Sequence, residues 1–278
     1  MPLELEKMID DIEKVLKKAL ESILSNVDKL EKGLEKEITK LVRDGFAIKR
    51  GNIDKTTGNI KEITKIQRKI DAYIRSGIFE KELKVFEPTF KAIADLIKDN
   101  YSEFASDNAL EVANLMKEDS IIQVKEQFIA EGLSAEVIPE LRNILKSSVI
   151  RGLTIDETLT AVTELVTSGL LPNAAKRITI DGLVTFSRNY INAMTKDFEA
   201  EWYFYEGPLR KTSRQFCESR AGKYYTKKQV ESWAKLDWQG KKPGTTKQTI
   251  FSLAGGYNCY HLILPVPTEL VPEEYLNK

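Results

Sequence analysis

The chain has 278 residues, of which 42% are hydrophobic and 30% are charged, so it carries enough apolar material for a core and wholesale disorder is excluded. Lys and Arg number 42, as do Asp and Glu, and this zero net charge excludes a global polyanion-binding field although not a local one. No stretch approaches 18 uninterrupted apolar residues and the charged start argues against a signal peptide, so we expect no membrane partner and no export by that route.

The first 45 residues predict one long amphipathic helix. Apolar residues recur from Leu5 to Leu41 with a mean spacing of 3.6, which is the period of one helical face. A helix over residues 3–43 would be roughly 60 Å long at about 1.5 Å per residue. We expect it either to form one arm of a helical hairpin within the chain or to dock by its apolar face on partner subunits.

The following segment, up to residue 131, predicts a loop and three more helical stretches. The loop covers Gly45–Asn59 and has Asn and Gly turn chemistry. A second helix should end near Gly77 and a third should begin after Pro88. Over residues 106–131 the apolar pattern continues, and it places four side chains on the inward face: Leu110, Leu115, Ile122 and Phe128.

Residues 139–200 carry sharper helix signals. Pro139 lies near a helix start, where it is tolerated. Thr154 and Glu157 have the spacing of a capping box, which predicts a helix over residues 155–168. Another helix should begin after Pro172. Nearly everything before residue 200 is therefore helical, without the alternating strands or the glycine-rich phosphate loop of nucleotide-binding α/β folds.

The last 78 residues differ from the rest in composition. They hold 13 of the 24 aromatic residues and all three tryptophans, together with five of nine prolines and six of fifteen glycines. We therefore predict a mainly α protein: an elongated helical body with a long N-terminal helix and a helical bundle, followed by a small α+β C-terminal domain. The predicted division is a long-helix or hairpin region at 1–105, a helical region at 106–200 and an aromatic-rich, basic domain at 201–278.

The C-terminal domain is locally basic. Between Glu206 and Ile250 there are eleven basic and four acidic residues, a net charge of +7. Interleaved cations and aromatic rings could contact phosphates and stack bases, or the rings could form a small core while the lysines face solvent. The residues we predict to contact nucleic acid or an acidic partner are Arg210, Lys211, Arg214, Arg220, Lys223, Lys227, Lys228, Lys241 and Lys242.

An ordered set of short segments in this domain resembles a known family. The segments are Ser213–Cys217, Gly222–Thr226, Trp238–Gly240, Gly255–His261 and Pro265–Val266. They are similar to the C-terminal block of phage Mu F-like head morphogenesis proteins, which are minor head proteins. Upstream, Gly152–Thr154 and Arg177–Thr179 add to a likeness that covers roughly residues 140–267. One position departs from the pattern, because Tyr260 stands where the family usually has Arg.

The resemblance implies a structural protein of a tailed bacteriophage particle. Such a protein does no chemistry of its own and takes part in head morphogenesis. Its expected partners are the portal protein or the major capsid protein, and packaged DNA. It would be present in several copies in the virion, which is assembled in the host cytoplasm.

Two cysteines and the single histidine leave a small set of candidate site residues. Cys217, Cys259 and His261 could bind zinc, with Glu218, Asp237 or water as a fourth ligand. The two cysteines could instead form a disulfide, or all three side chains could be plain core residues. We expect no required cofactor, and zinc is the one metal these residues would suit.

Two further functions stay open as alternatives. A cysteine nucleophile could use His261 as its base, since residues two apart on a strand share a face. Such an enzyme would need an orienting group, for which Asn258 and Asp237 are the candidates. The other alternative is a nucleic-acid-binding module that acts outside virions.

Overall fold

The structure is a computed structural model that describes residues 2–76 and 81–276. It confirms the predicted fold class, because the described residues are mainly helical and a small sheet lies near the C-terminus. The longer helices are α1 (Pro2–Gly45), α2 (Thr57–Ile74), α3 (Phe86–Tyr101), α4 (Asp107–Gln127), α5 (Ile138–Arg151), α6 (Ile155–Val166) and α7 (Leu170–Met194). A wider helical segment of π type, Phe128–Val137, joins α4 to α5. Among the described residues, no helix is both long enough and apolar enough to span a membrane.

Helix α1 carries the apolar stripe that its sequence predicts. The stripe is buried along its length, and Leu5, Ile23 and Leu34 are each at most 2% exposed. Burying a side chain of this size stabilises the fold by about 1.5–3 kcal/mol. Because the stripe is already covered by this chain, the expectation that it docks on partner subunits is wrong for this face.

Several boundaries and one loop differ from the sequence prediction. The predicted loop contains a short hairpin in which β1 (Ile48–Lys49) pairs antiparallel with β2 (Asn52–Ile53). Helix α3 begins before Pro88, since a proline in the first turn has no intrahelical hydrogen bond to lose. Helix α2 ends at Ile74, and Gly77 lies outside the described residues.

The prediction that Leu115 and Ile122 face inward is wrong. Leu115 is 62% exposed and Ile122 is 55% exposed, whereas Ala113 and Val124 are buried. Each exposed residue is two positions from a buried one, which is about 200° around a helix with 3.6 residues per turn. The apolar residues that we assigned to one face of this helix therefore lie on two faces.

The described backbone groups into two compact units. One contains the described residues up to 20, residues 86–122 and everything described from 179 onward. The other contains the described residues of 21–85 and 123–178. Each unit is assembled from separated stretches of chain. The predicted division into 1–105, 106–200 and 201–278 describes domains that are each continuous in sequence, and it stays a prediction.

The C-terminal sheet belongs to the first unit. Its strands are β3 (Trp202–Glu206), β4 (Lys223–Thr226) and β5 (Leu262–Val266), and β3 lies in the middle, antiparallel to both neighbours. Trp202 is opposite both Thr226 and Val266, which fixes the register. Four short helices flank the strands: α8 (Gln215–Glu218), α9 (Lys227–Ser232), α10 (Ile250–Leu253) and α11 (Glu273–Leu276).

A small core fills the space between this sheet and the short helices. Its buried members include Tyr205, Phe216, Cys217, Trp233 and Cys259. Aromatic rings meet edge to face there, as Phe216 and Trp233 do at a centroid distance of 5.7 Å. The aromatic residues of the C-terminal segment thus form a core of their own, which was one of the two interpretations of this composition.

Candidate functional site

Four side chains with polar or ionisable groups meet inside the C-terminal core. Tyr205 comes from β3, Cys217 from α8, and Cys259 and His261 from the segment that leads into β5. Their exposed fractions are 1%, 2%, 5% and 2%, in that order. Sequence analysis selected the two cysteines and the histidine, and the structure brings all three together.

The reactive atoms lie within contact distance of one another. Cys217 Sγ is 3.7 Å from Cys259 Sγ, and Cys259 Sγ is 3.7 Å from His261 Nδ1. The Tyr205 hydroxyl donates to Cys217 Sγ at 3.4 Å and lies 3.8 Å from Cys259 Sγ. The Tyr205 and His261 rings stack at 5.2 Å with an angle of 7° between their planes. We call this group the thiol–imidazole cluster: Tyr205, Cys217, Cys259 and His261.

Arg188 holds the backbone of this cluster from α7. The side chain is 2% exposed, and its Nε and Nη2 donate to the His261 carbonyl at 3.0 and 2.6 Å. Nη2 also donates to the Cys259 carbonyl at 3.3 Å, and Nη1 donates to the Ser252 carbonyl at 3.1 Å. One guanidinium thus holds the main chain at Cys259 and His261 and near the end of α10.

A glycine lets the main chain pass close to Cys259. Gly255 has φ +78°, and a Cβ at that position would lie 2.0 Å from Cys259 Sγ. The positive φ and the missing side chain are both required there. This explains, in physical terms, why Gly255 stands at the start of the Gly255–His261 segment.

The two thiols differ in acidity. The hydrogen bond between the two sulfurs raises the pKa of the Cys217 thiol, and burial raises it further. The same hydrogen bond lowers the pKa of Cys259, with help from the charge of Arg188 and from His261. Burial raises the pKa of the Tyr205 hydroxyl.

His261 is poorly satisfied by the protein. Its Nε2 is buried and has no hydrogen-bond partner among the described residues. Its Nδ1 has the Cys259 sulfur at 3.7 Å, and sulfur is a weak hydrogen-bond partner. The cluster can therefore hold a cation between sulfur and nitrogen, remain a hydrogen-bonded thiol pair, or close to a disulfide.

The carboxylates suggested as a fourth ligand do not join the cluster. Only Cys217, Cys259 and His261 form a group of three close ligand atoms in the part of the chain that the structure describes. Glu218 and Asp237 are exposed on the surface of the same domain. The Tyr205 hydroxyl, which sequence analysis did not select, lies beside both sulfurs instead.

Two of the nine basic candidates pair with acidic side chains of the helical body. Arg210 lies 3.8 Å from the centre of the Tyr260 ring and pairs with Glu13 at 2.7 Å, although its side chain is 44% exposed. Lys242 pairs with Asp181 at 3.7 Å, and burial lowers its pKa.

Three further basic candidates donate hydrogen bonds to main-chain carbonyl oxygens. Arg214 donates to Gly255, Arg220 to Phe216 and Lys241 to Ala234. Arg220 also lies over the Phe216 ring at 4.0 Å.

The remaining four basic candidates are exposed: Lys211, Lys223, Lys227 and Lys228. Lys223 donates to the Ser219 carbonyl at 2.8 Å at the surface. Lys227 and Lys228 follow each other in the first turn of α9, directly after the Thr226 cap. The surface available to an anionic partner is therefore smaller than the sequence implies.

Sequence analysis missed Arg188 and Tyr205. A signal for Arg188 was present, since it occupies the same helical face as Val184 and Ile191, which are both buried. A charged residue in an apolar stripe marks a buried polar contact. Tyr205 gave no such signal, because one tyrosine among the aromatic residues of β3 does not show which ring meets a sulfur.

No family model, curated protein or solved structure matches this chain.

Proposed function

We propose that this protein is a minor head protein of a tailed bacteriophage, located in the virion and assembled in the host cytoplasm. It would contact the portal protein or the major capsid protein during head morphogenesis. It would be present in several copies, and its basic C-terminal surface would face packaged DNA or an acidic protein surface. In this role the protein needs no catalytic site.

The observation that carries the proposal is that four of the five resembling C-terminal segments contribute to one core. Phe216 and Cys217 come from the first segment, Trp238 from the third, and Cys259 from the fourth. Phe216 and Trp238 stack at 4.2 Å, although 22 positions separate them along the chain. A likeness spread over residues 213–266 that converges on a single core is what an inherited domain would produce.

The position at which the chain departs from the family also finds a cation nearby. Tyr260 stands where the family usually has Arg, and the Arg210 guanidinium lies 3.8 Å from the centre of its ring. Arg210 thus brings a positive charge to the Tyr260 side chain from another part of the chain. The difference from the family at position 260 therefore counts less against the resemblance.

The enzyme alternative stays a hypothesis, and burial works against it. Cys259 is 5% exposed and His261 is 2% exposed, so a substrate would have almost no surface of either to reach. A catalytic cysteine is normally partly exposed in an electropositive surrounding. Its test is activity loss in Cys259→Ser protein that remains folded.

Mass spectrometry of purified particles tests the proposal. Particles should be induced from the strain that carries the gene and purified by density, and we expect peptides from this chain to co-purify with the portal and major capsid proteins. A lysate of the same strain without induction, taken through the same gradient, controls for contamination. Particles that contain portal and capsid peptides but no peptide of this chain would overturn the proposal.

A further inference from the structure

We propose that the thiol–imidazole cluster is a structural zinc site in which Cys217, Cys259 and His261 are ligands and the Tyr205 hydroxyl occupies the fourth position. This inference concerns the C-terminal core itself and goes beyond the proposed function. Either can fail without the other, because the zinc experiments use purified protein and no particles.

Four of the six distances between the candidate ligand atoms are close to the edges of a tetrahedron around one zinc ion. With zinc–sulfur bonds of about 2.3 Å and zinc–nitrogen or zinc–oxygen bonds of about 2.0 Å, the edges would be about 3.8 Å between sulfurs and about 3.5 Å from sulfur to nitrogen or oxygen. The four separations in the structure are 3.7, 3.7, 3.4 and 3.8 Å. The Cys217 sulfur and the His261 ligand nitrogen lie within 4.8 Å of each other, and zinc binding would bring this pair to about 3.5 Å.

The poorly satisfied imidazole is a second, independent observation. His261 is 2% exposed, its Nε2 has no partner among the described residues, and its Nδ1 contacts only sulfur. A buried polar group that lacks a good hydrogen bond costs free energy. A zinc ion bound at Nδ1 would replace the weak contact of that nitrogen with the Cys259 sulfur, whereas Nε2 would still have no partner among the described residues.

The charge and the ligand set both favour zinc. Two thiolates balance a divalent cation, which leaves a neutral centre in a buried place. Sulfur and imidazole ligands in a tetrahedral arrangement are typical of zinc, whereas calcium and magnesium require oxygen ligands. Four protein side chains leave no open position, and closed sites of this kind stabilise a fold rather than catalyse a reaction.

The site would tie together three segments that are far apart in sequence. Tyr205 lies in β3, Cys217 in α8, and Cys259 and His261 just before β5. The strands and helices of this domain are four to six residues long, so little local structure holds them in place. Zinc binding to such a core contributes directly to its folding free energy.

Metal analysis of the full-length protein tests the site. The protein should be expressed in zinc-supplemented medium, dialysed against metal-free buffer and analysed by inductively coupled plasma mass spectrometry, and we expect about one zinc per chain. Cys259→Ser and His261→Gln should each reduce the zinc content at least tenfold. The matched control is Tyr260→Phe, which changes the residue between the two ligands and should retain the wild-type zinc content.

A cobalt experiment keeps the proposal testable if the ligand variants fail to fold. Wild-type protein reconstituted with Co²⁺ should show the sulfur-to-cobalt charge-transfer bands and the visible bands of tetrahedral coordination. Tyr205→Phe should shift the visible bands if the phenol oxygen is the fourth ligand. An unchanged spectrum in Tyr205→Phe would remove Tyr205 from the site.

Two outcomes overturn the zinc site. The first is that the wild-type protein contains less than a tenth of a zinc per chain, does not bind Co²⁺ and does not protect its two thiols from alkylation. The second is a mass of the unreduced protein that is two hydrogens below the mass after reduction, because a disulfide between Cys217 and Cys259 excludes a thiolate site.

Discussion

Arg188 shows how one residue can organise a core that has little regular structure. Its hydrogen bonds go to the carbonyl oxygens of Ser252, Cys259 and His261, all more than sixty positions away along the chain. Hydrogen bonds from a charged donor are worth about 1.5–3 kcal/mol each, and leaving buried acceptors unpaired costs a similar amount. The planar guanidinium can reach several acceptors at once, which an ammonium group cannot.

We therefore predict that Arg188→Met destabilises the protein by about 3 kcal/mol or more, because three buried carbonyls lose their donor. Arg188→Lys should be intermediate, since it keeps the charge and loses the fork. Urea unfolding followed by tryptophan fluorescence measures this, because all three tryptophans, Trp202, Trp233 and Trp238, lie in the C-terminal domain.

The control is Arg43→Met. Arg43 is 57% exposed and pairs at 3.6 Å with Asp156, which is 88% exposed. Exposed pairs contribute about 0–1 kcal/mol. Equal unfolding free energies for Arg188→Met and Arg43→Met would contradict the anchoring role of Arg188.

Helix α6 is the element whose local sequence explains its start most directly. The Thr154 hydroxyl accepts from the Glu157 main-chain N–H at 3.1 Å, and the Glu157 carboxylate accepts from the Thr154 N–H at 2.8 Å. This is the capping box predicted from the spacing of the two residues, and the structure confirms it. The hydrogen bond from the Thr154 main chain lowers the pKa of Glu157 below its ordinary value of 4.5.

The lowered pKa gives the stability of this helix start a definite pH dependence. Because the folded state favours the carboxylate, its contribution is present above pH 4.5 and is lost as the pH falls through the folded-state pKa. We predict that Glu157→Ala destabilises the protein at pH 7 and that the difference from wild type becomes much smaller at pH 3. Urea unfolding of both proteins at the two pH values measures it.

Glu164→Ala is the control for this effect. Glu164 is exposed in the last turn of the same helix, where the helix dipole disfavours a negative charge. Its removal should not destabilise the protein at either pH. A loss at pH 7 equal to that of Glu157→Ala would assign the effect to general charge and not to the cap.

At the scale of the whole molecule, the neutral total conceals two regions of opposite charge. The segment from Glu206 to Ile250 has eleven basic and four acidic residues, so the rest of the chain has a net charge of −7. Among the basic candidates of that segment, Lys227 and Lys228 are exposed in the first turn of α9. They are the positions where contact with a polyanion is least obstructed by contacts within the protein.

If packaged DNA is a partner, duplex DNA should bind with an affinity that falls steeply between 50 and 200 mM salt. We predict that the double variant Lys227→Glu, Lys228→Glu weakens binding at low salt and reduces the slope of log affinity against log salt by up to about 2. Fluorescence anisotropy with a labelled duplex measures both quantities.

The matched control is Lys17→Glu with Lys18→Glu. These two lysines are also adjacent, exposed and helical, and the substitution changes the net charge by the same amount. We expect wild-type affinity from this control. A flat salt dependence of the wild type, or an equal loss in both double variants, would remove the C-terminal lysines as a DNA-binding surface.

The amino-acid sequence by itself determined the helical character of most of the chain, the long α1 and the capping box of α6. These features depend on residues a few positions apart, so the period of apolar residues and the chemistry of a cap are visible without tertiary structure. The same reasoning failed at Leu115 and Ile122, where spacings of five to seven residues do not separate one helical face from two.

Only the tertiary structure decided which side chains meet. It brought Cys217, Cys259 and His261 together, added Tyr205 and Arg188, and gave six of the nine basic candidates contacts within the chain. It also buried the apolar stripe of α1, for which docking on partner subunits had been one of two expectations. Such contacts join residues far apart along the chain, and no local period or propensity specifies which of several buried partners a side chain will reach.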